Sequence, residues 1–153
     1  MIRVSRLADY GIGLMTQIAG TCDVLHSAHS LSASLNLPLP TVSKLLSALA
    51  KRGLLVAIRG ARGGYRLGVD PARISVADII QAVDGPIALT QCLENGPGAC
   101  ELEIICPSRR GWSMINDAIT RSLESVTLAD FGGIGAALPQ HRRETLQPVV
   151  HGY

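Results

Sequence analysis

Apolar residues recur at helical spacing in several stretches of this chain, and Gly and Pro punctuate the gaps between them. Leu7, Leu14, Met15 and Ile18 share one helical face, which predicts a first helix over residues 6–19. Gly11 and Gly13 interrupt it. Each costs about 1 kcal/mol relative to Ala inside a helix, so their presence implies that another element approaches this backbone closely. Residues 21–30 are polar and weakly patterned, and predict a loop or a helix end. Leu31 to Leu37 reads as a short second helix, closed by Pro38. The third helix is the clearest. Pro40 lies near its start, where a missing N–H does no harm. Val42, Leu45, Leu46 and Leu49 form one apolar stripe, while Pro40, Lys44, Ser47, Ala48 and Lys51 fall on the opposite face. Gly53 ends it.

The period then changes. Leu54 to Ile58 and Tyr65 to Leu67 favour strands and flank the loop Arg59-Gly60-Ala61-Arg62-Gly63-Gly64, so they predict a hairpin with a flexible basic tip. Ser75-Val-Ala-Asp78 resembles a capping box with Asp in the place of Glu or Gln. It opens a helix carrying Val76, Ile79, Ile80 and Val83 on one face, which Gly85 stops. Residues 85–107 hold Gly85, Pro86, Gly96, Pro97 and Gly98 and predict mainly loop. A last long helix, 108–128, has Trp112, Ile115, Ile119, Ser122, Leu123 and Val126 at 3–4 spacing. That stripe can pack on the core or on a second subunit. Residues 132–153 have no period and predict disorder.

Composition sharpens this picture in two places. Hydrophobic residues make up 47% of the 153 residues but aromatic ones only 3%, so the core must be aliphatic. The length fits one domain with an appended arm. No apolar run reaches the roughly 18 residues of a membrane span, and no signal-peptide pattern follows Met1. These features predict a soluble, cytoplasmic protein with no membrane partner. The net charge of +2 is unevenly spread: residues 1–70 carry eight Lys/Arg against three Asp, and residues 71–130 carry four Arg against eight acids. A basic front half fits a nucleic-acid-binding head. The excess is modest, so DNA affinity calls for a dimer.

A short helix, a tight turn around Asn36-Leu37-Pro38 and an amphipathic helix with a basic, small-residue outer face form a helix-turn-helix pattern. The outer face places Thr41, Ser43, Lys44 and Ser47 as candidates for base-edge or phosphate contacts in a major groove. Arg59 and Arg62 sit among glycines that let backbone approach a duplex, and a narrow minor groove draws in Arg. The alternative for both arginines is solvation on an exposed turn. The order of elements, helix-turn-helix and then basic hairpin, favours DNA.

The chain has four cysteines, and three of them, Cys92, Cys100 and Cys106, lie close together in a polar loop with Glu94, Glu101 and Glu103. Thiols in such a loop are oxidation liabilities unless liganded. The spacing Cys92-x7-Cys100-x5-Cys106 lacks the Cys-x2-Cys knuckle of small zinc sites. It suits a loop around something larger than one ion, which points to an iron–sulfur cluster ahead of zinc or no metal. Cys22 stands apart and is assigned to structure. His26, His29, His141 and His151 are assigned to surface or tail. There are no paired catalytic carboxylates, no nucleophile with a placed base and no phosphate loop, which argues against an enzyme.

The run Thr41-Val-Ser-Lys-Leu-Leu, followed by Arg59-Gly-Ala-Arg-Gly-Gly-Tyr-Arg-Leu67, resembles the winged-helix regulator family of IscR and NsrR. Within it the chain looks most like the regulators of SUF-type iron–sulfur assembly. The resemblance spans about residues 1–130. It implies a homodimer with crossing C-terminal helices, an operator in double-stranded DNA, and a cluster held by Cys92, Cys100 and Cys106. The first cysteine gap is longer than the family's usual one. Where IscR-like members carry a histidine ligand this chain has Arg109, which cannot serve. In NsrR-like members an aspartate early in the first helix of the partner subunit fills the fourth position, and Asp9 matches it. The alternative role of Asp9 is compensation of the helix N-terminus. Three cysteines and an oxygen donor do not decide nuclearity, and the reading leans to 2Fe–2S over 4Fe–4S.

The expected fold is therefore mainly α with a small β-hairpin wing. A winged helix-turn-helix DNA-binding domain spans 1–70, a linking helix and cysteine loop 71–107, a long dimerisation helix 108–130, and a disordered tail 131–153. The expected function is a DNA-binding regulator that senses iron–sulfur status or redox and nitric oxide stress. The alternative is a metal-free winged-helix regulator that senses through a partner protein or a small molecule.

Overall fold

Local hydrogen bonds set most element boundaries. The computed structural model describes residues 3–21, 24–94, 100–101 and 105–132. Helix α1 (Arg6–Ala19) starts where Ser5 Oγ accepts from the Ala8 N–H at 3.0 Å. Helix α2 (Ala28–Leu35) begins at Ala28 rather than Leu31, because Ser27 Oγ accepts from the Ser30 N–H at 3.0 Å and supplies a start signal that periodicity alone does not register. Its end is the expected tight turn. Asn36 takes the left-handed conformation, φ 52°, which Asn tolerates better than most residues. The turn is sealed by Leu37 N–H donating to Ser32 O at 3.1 Å and by Ser32 Oγ donating to Leu37 O at 2.6 Å. Helix α3 (Leu39–Lys51) follows with Pro40 in its first turn.

Strands β1 (Leu55–Ile58) and β2 (Gly64–Leu67) pair antiparallel, with Leu55 opposite Leu67 and Ile58 opposite Gly64. After a 3-10 turn, Pro71–Arg73, helix α4 (Val76–Val83) opens on a complete capping box between Ser75 and Asp78, as the sequence pattern predicts. The segment expected to be loop contains one helical turn, α5 (Gln91–Glu94). The expected last helix is divided. Helix α6 (Arg109–Glu124) stops at Ser125, and helix α7 (Leu128–Gly132) restarts after it. The break has a visible cause. Val126 O accepts from the Val76 N–H at 2.9 Å, and the Leu128 N–H donates to Ile74 O at 2.8 Å, so the chain is pulled onto the start of α4. Thr127 then caps α7 with Asp130, and these bonds from Thr127 hold the Asp130 carboxyl below its usual range.

Burial joins these pieces into one aliphatic core. Leu14, Met15 and Ile18 of α1 meet Val42, Leu45, Leu46 and Leu49 of α3, with Leu31, Leu55, Ile74, Ile79 and Leu128 closing the sides. Full burial of such a side chain contributes about 1.5–3 kcal/mol relative to exposure. Every member of the predicted α3 stripe is in it. Gly11 explains itself here: a Cβ at that position would stand 3.1 Å from Val83 Cγ2 and 3.6 Å from Ile79 Cγ2, so the glycine lets α4 seat against α1. Gly13 does not share this reason, since nothing lies within 4 Å of its Cβ position. Cys22, His141, His151 and residues 133–153 of the tail expected to be disordered fall outside the described residues, whereas Phe131 and Gly132, assigned to the same tail, are helical because they complete α7.

The two glycines therefore give opposite expectations. Gly11→Leu overpacks the α1–α4 contact and should lower stability by about 1–3 kcal/mol. Gly13→Ala should raise it by about 0.5–1 kcal/mol through helix propensity. Urea unfolding at fixed protein concentration measures both, and equal effects at the two positions would refute the packing account.

Candidate nucleic-acid interface and cysteine segment

Because the α3 stripe is buried, the opposite face of that helix must point outward. Ser43, Lys44 and Ser47 are exposed and Thr41 is half-buried, so the structure places the predicted outer-face residues together on one helix. An open groove of about 360 Å³ runs beside this face, lined by Lys44, Ser47, Ala48, Lys51, Arg52 and Ala82. Lys51 and Arg52 thus add cations that base-reading arguments do not single out. Their other effect is favourable interaction with the C-terminal end of α3.

The hairpin tip is a tight turn, with Gly63 N–H donating to Gly60 O at 2.9 Å and Gly60 at φ 118°. A Cβ on Gly63 would collide with the Ile58 carbonyl. Arg59 and Arg62 are both exposed on this tip. The hairpin is also held from its other edge, which sequence periodicity did not register. The His26 N–H donates to Tyr65 O at 2.9 Å and the Tyr65 N–H donates to His26 O at 2.8 Å, so a residue two positions before α2 pairs with β2. A Cβ on Gly64 would lie 2.8 Å from His26 O. Gly64 therefore has a positional reason beyond loop flexibility: it admits this close approach. His26, assigned to the surface from sequence, is half-buried, and its Nε2 lies 2.9 Å from Thr21 Oγ1.

Cys92 lies on α5, and Cys100 and Cys106 lie beyond it. All three are free thiols and half-buried. Thr90 Oγ1 lies 3.2 Å from Cys92 Sγ. The donor chemistry suits iron–sulfur ligation, since soft thiolates with partial shielding are what such clusters take. Among the described residues, however, no three His, Cys, Asp or Glu side chains are gathered as a ligand set. Residues 95–99 and 102–104, including Glu103, lie outside the described residues. Asp9 is exposed on the first turn of α1.

Helix α6 packs along α4 and contains no fully buried residue. Ile119 and Leu123 are half-buried, whereas Trp112, Met114 and Ile115 are exposed, Met114 by 64%. The predicted stripe is thus only partly covered within the chain. Asn116, on the same helix, bonds the backbone at Ile87 and Leu89. Among the described residues no helix is long and apolar enough to cross a membrane.

Residues 4–132 match the model of the Rrf2 family, described as an iron-dependent transcriptional regulator. The chain is 32% identical over 135 residues to the transcriptional regulator IscR of Vibrio cholerae, covering 84% of this chain and 74% of that protein. It is 34% identical over 130 residues to the transcriptional regulator CymR of Bacillus subtilis, covering 84% and 88%. Among solved structures it superposes on CymR, the global cysteine regulator of B. subtilis. The TM-score is 0.68 at 33% identity, over 89% of this chain and 100% of that one. It also superposes on T. potens IscR, TM-score 0.64 at 29% identity, over 85% of each chain.

The edge pairing at His26 has a direct test. Gly64→Val should push His26 away from β2 and break both bonds to Tyr65. Amide exchange at His26 and Tyr65 should then accelerate by roughly tenfold or more, with core amides such as Leu46 unchanged. Unaltered protection at these two amides would show that the hairpin is held by something else.

Proposed function

The chain belongs to the Rrf2 family of transcriptional regulators, and from that premise we propose that it is a homodimeric, cytoplasmic DNA-binding regulator that reports iron–sulfur status through Cys92, Cys100 and Cys106. The observation that carries this reading is the set of three free, half-buried thiols in a chain whose family is described as iron-dependent. Asp9, supplied across the dimer, is the proposed fourth donor. A carboxylate is a hard and weaker ligand for iron than thiolate, so it marks the labile point of the set. A bound cluster, with 2Fe–2S favoured, would supply a centre sensitive to oxidants and nitric oxide.

The rest of the mechanism belongs to the chain's own residues. Thr41, Ser43, Lys44 and Ser47 enter the major groove, and Arg59 and Arg62 reach the adjacent minor groove or phosphates. Lys51 and Arg52 strengthen the salt-dependent term. Trp112, Met114 and Ile115 pack against the same helix of a second copy. Two heads must meet half-sites about one helical turn apart, so a small rotation at the dimer helix changes affinity. The resemblance to SUF-system regulators makes iron–sulfur assembly genes the proposed target. The proposed regions are a head over 1–70, a linking helix and cysteine loop over 71–107, and a dimer helix that ends with α6 at Glu124, because α7 (Leu128–Gly132) folds back onto α1 with Leu128 in the core.

A second reading is a metal-free regulator acting through a partner or a small molecule. It is favoured by an identity to CymR, the global cysteine regulator of B. subtilis, as high as that to IscR. Oxygen-free purification with iron and sulfide assays separates the two. Material without iron or acid-labile sulfur, even after reconstitution, selects the second reading. Cys100→Ala should remove the visible absorbance of the anaerobic protein, and retention of the full spectrum would exclude it as a ligand. Arg59→Ala should weaken operator binding by roughly 1–3 kcal/mol if it reads bases, or lower the salt slope by about one if it touches a phosphate. An operator affinity and salt slope equal to wild type would refute the wing assignment.

A further inference from the structure

We infer that Asn116 is a positioning residue that couples Cys92 to the dimer helix, an inference that rests on the reading of α6 as the dimer element. Its side chain makes a two-point clamp. Nδ2 donates to Ile87 O at 3.1 Å, and Oδ1 accepts from the Leu89 N–H at 3.0 Å. The bonded partners are 29 and 27 positions away in sequence, so the clamp is purely tertiary. A primary amide is the group with both a donor and an acceptor at its planar end. It satisfies a carbonyl and an N–H of a stretch that has left α4 through Gly85, at φ 95°, and is in no regular element.

The clamped stretch leads straight to a cysteine. Leu89 is followed by Thr90, whose carbonyl accepts from the Leu93 and Glu94 N–H groups at 3.0 and 3.2 Å and so starts α5. Thr90 Oγ1 lies 3.2 Å from Cys92 Sγ. From α6 to this thiol the path runs through the Asn116 amide, the Leu89 backbone and the Thr90 hydroxyl. Displacing Cys92, by alkylation or by taking up a ligand, therefore moves α5 and pulls on α6 at Asn116. Leu in place of Asn fills similar volume but leaves two backbone groups unpaired. Asp keeps the acceptor for Leu89 and sets a carboxylate against the Ile87 carbonyl.

The test uses reduced, metal-free protein and iodoacetamide, and compares wild type with Asn116→Ala and Asn116→Asp. Cys92 should alkylate roughly tenfold faster in the Ala variant and at an intermediate rate in the Asp variant, with Cys106 as the internal reference. Alkylation of wild type should also lower amide protection across residues 109–124, and in Asn116→Ala that response should disappear. A purely structural role would lower overall stability without uncoupling the two segments. An unchanged Cys92 rate in both variants, or the same α6 response in wild type and Asn116→Ala, overturns the inference. Neither readout needs metal, so their failure speaks against the coupling, whereas iron-free material in the anaerobic purification speaks against the cluster reading.

Discussion

The contact between the apolar stripe of α3 and the buried face of α1 is the constraint on which the rest depends. Leu14, Met15 and Ile18 on one side and Val42, Leu45, Leu46 and Leu49 on the other leave only one rotation of α3 that hides its aliphatic residues. That rotation turns Lys44 and Ser47 outward. The proposed reading face is thus the complement of the core. The core contributes no polar group to it, yet any slip of the stripe would rotate the outer residues away together. Gly11 belongs to the same constraint, because α4 closes the core only where α1 carries no side chain.

The wing depends on a second, weaker constraint. Two strands alone are marginal in water, and of the β1 residues only Leu55 is buried. The hairpin is therefore braced from outside. Leu55 anchors its base in the core, Gly68 N–H donates to Leu54 O, and His26 pairs with Tyr65 on the far edge. The His26 bridge links the hairpin to the segment that leads into α2. The exposed arginines at the tip are held at a set position relative to α3 by backbone hydrogen bonds, while their side chains stay free to adapt.

Helix α6 shows what a single chain leaves unfinished. One side of its stripe covers α4, and the other, at Trp112, Met114 and Ile115, meets solvent. Between them, Asn116 grips the irregular stretch before Cys92. A helix that is at once half covered, amide-clamped to the stretch before Cys92 and packed along α4, which itself rests on α1 and α3, is mechanically suited to relay changes between those segments. The membership of the Rrf2 family gives that arrangement its setting: transcriptional control rather than catalysis.

Much of this was legible in the chain itself. The helix-turn-helix, the basic hairpin and the Ser75–Asp78 capping box are short-range patterns, in which the residues that make the structure lie within a few positions of each other. The start of α2 at Ser27 was equally local, but its signal was a hydroxyl cap within a polar stretch that apolar periodicity passes over. Other features are long-range. The division of the last helix follows from Val126 and Leu128 bonding to Val76 and Ile74, far back in the chain. The role of Gly64 appears only once His26 lies against it, and that of Asn116 only once Ile87 and Leu89 come within reach. Sequence by itself determined which faces are apolar and where helices can begin, because propensity and capping act over one or two turns. Tertiary structure alone decided which backbone groups meet across the core, because the free energy of those contacts exists only after distant segments have packed.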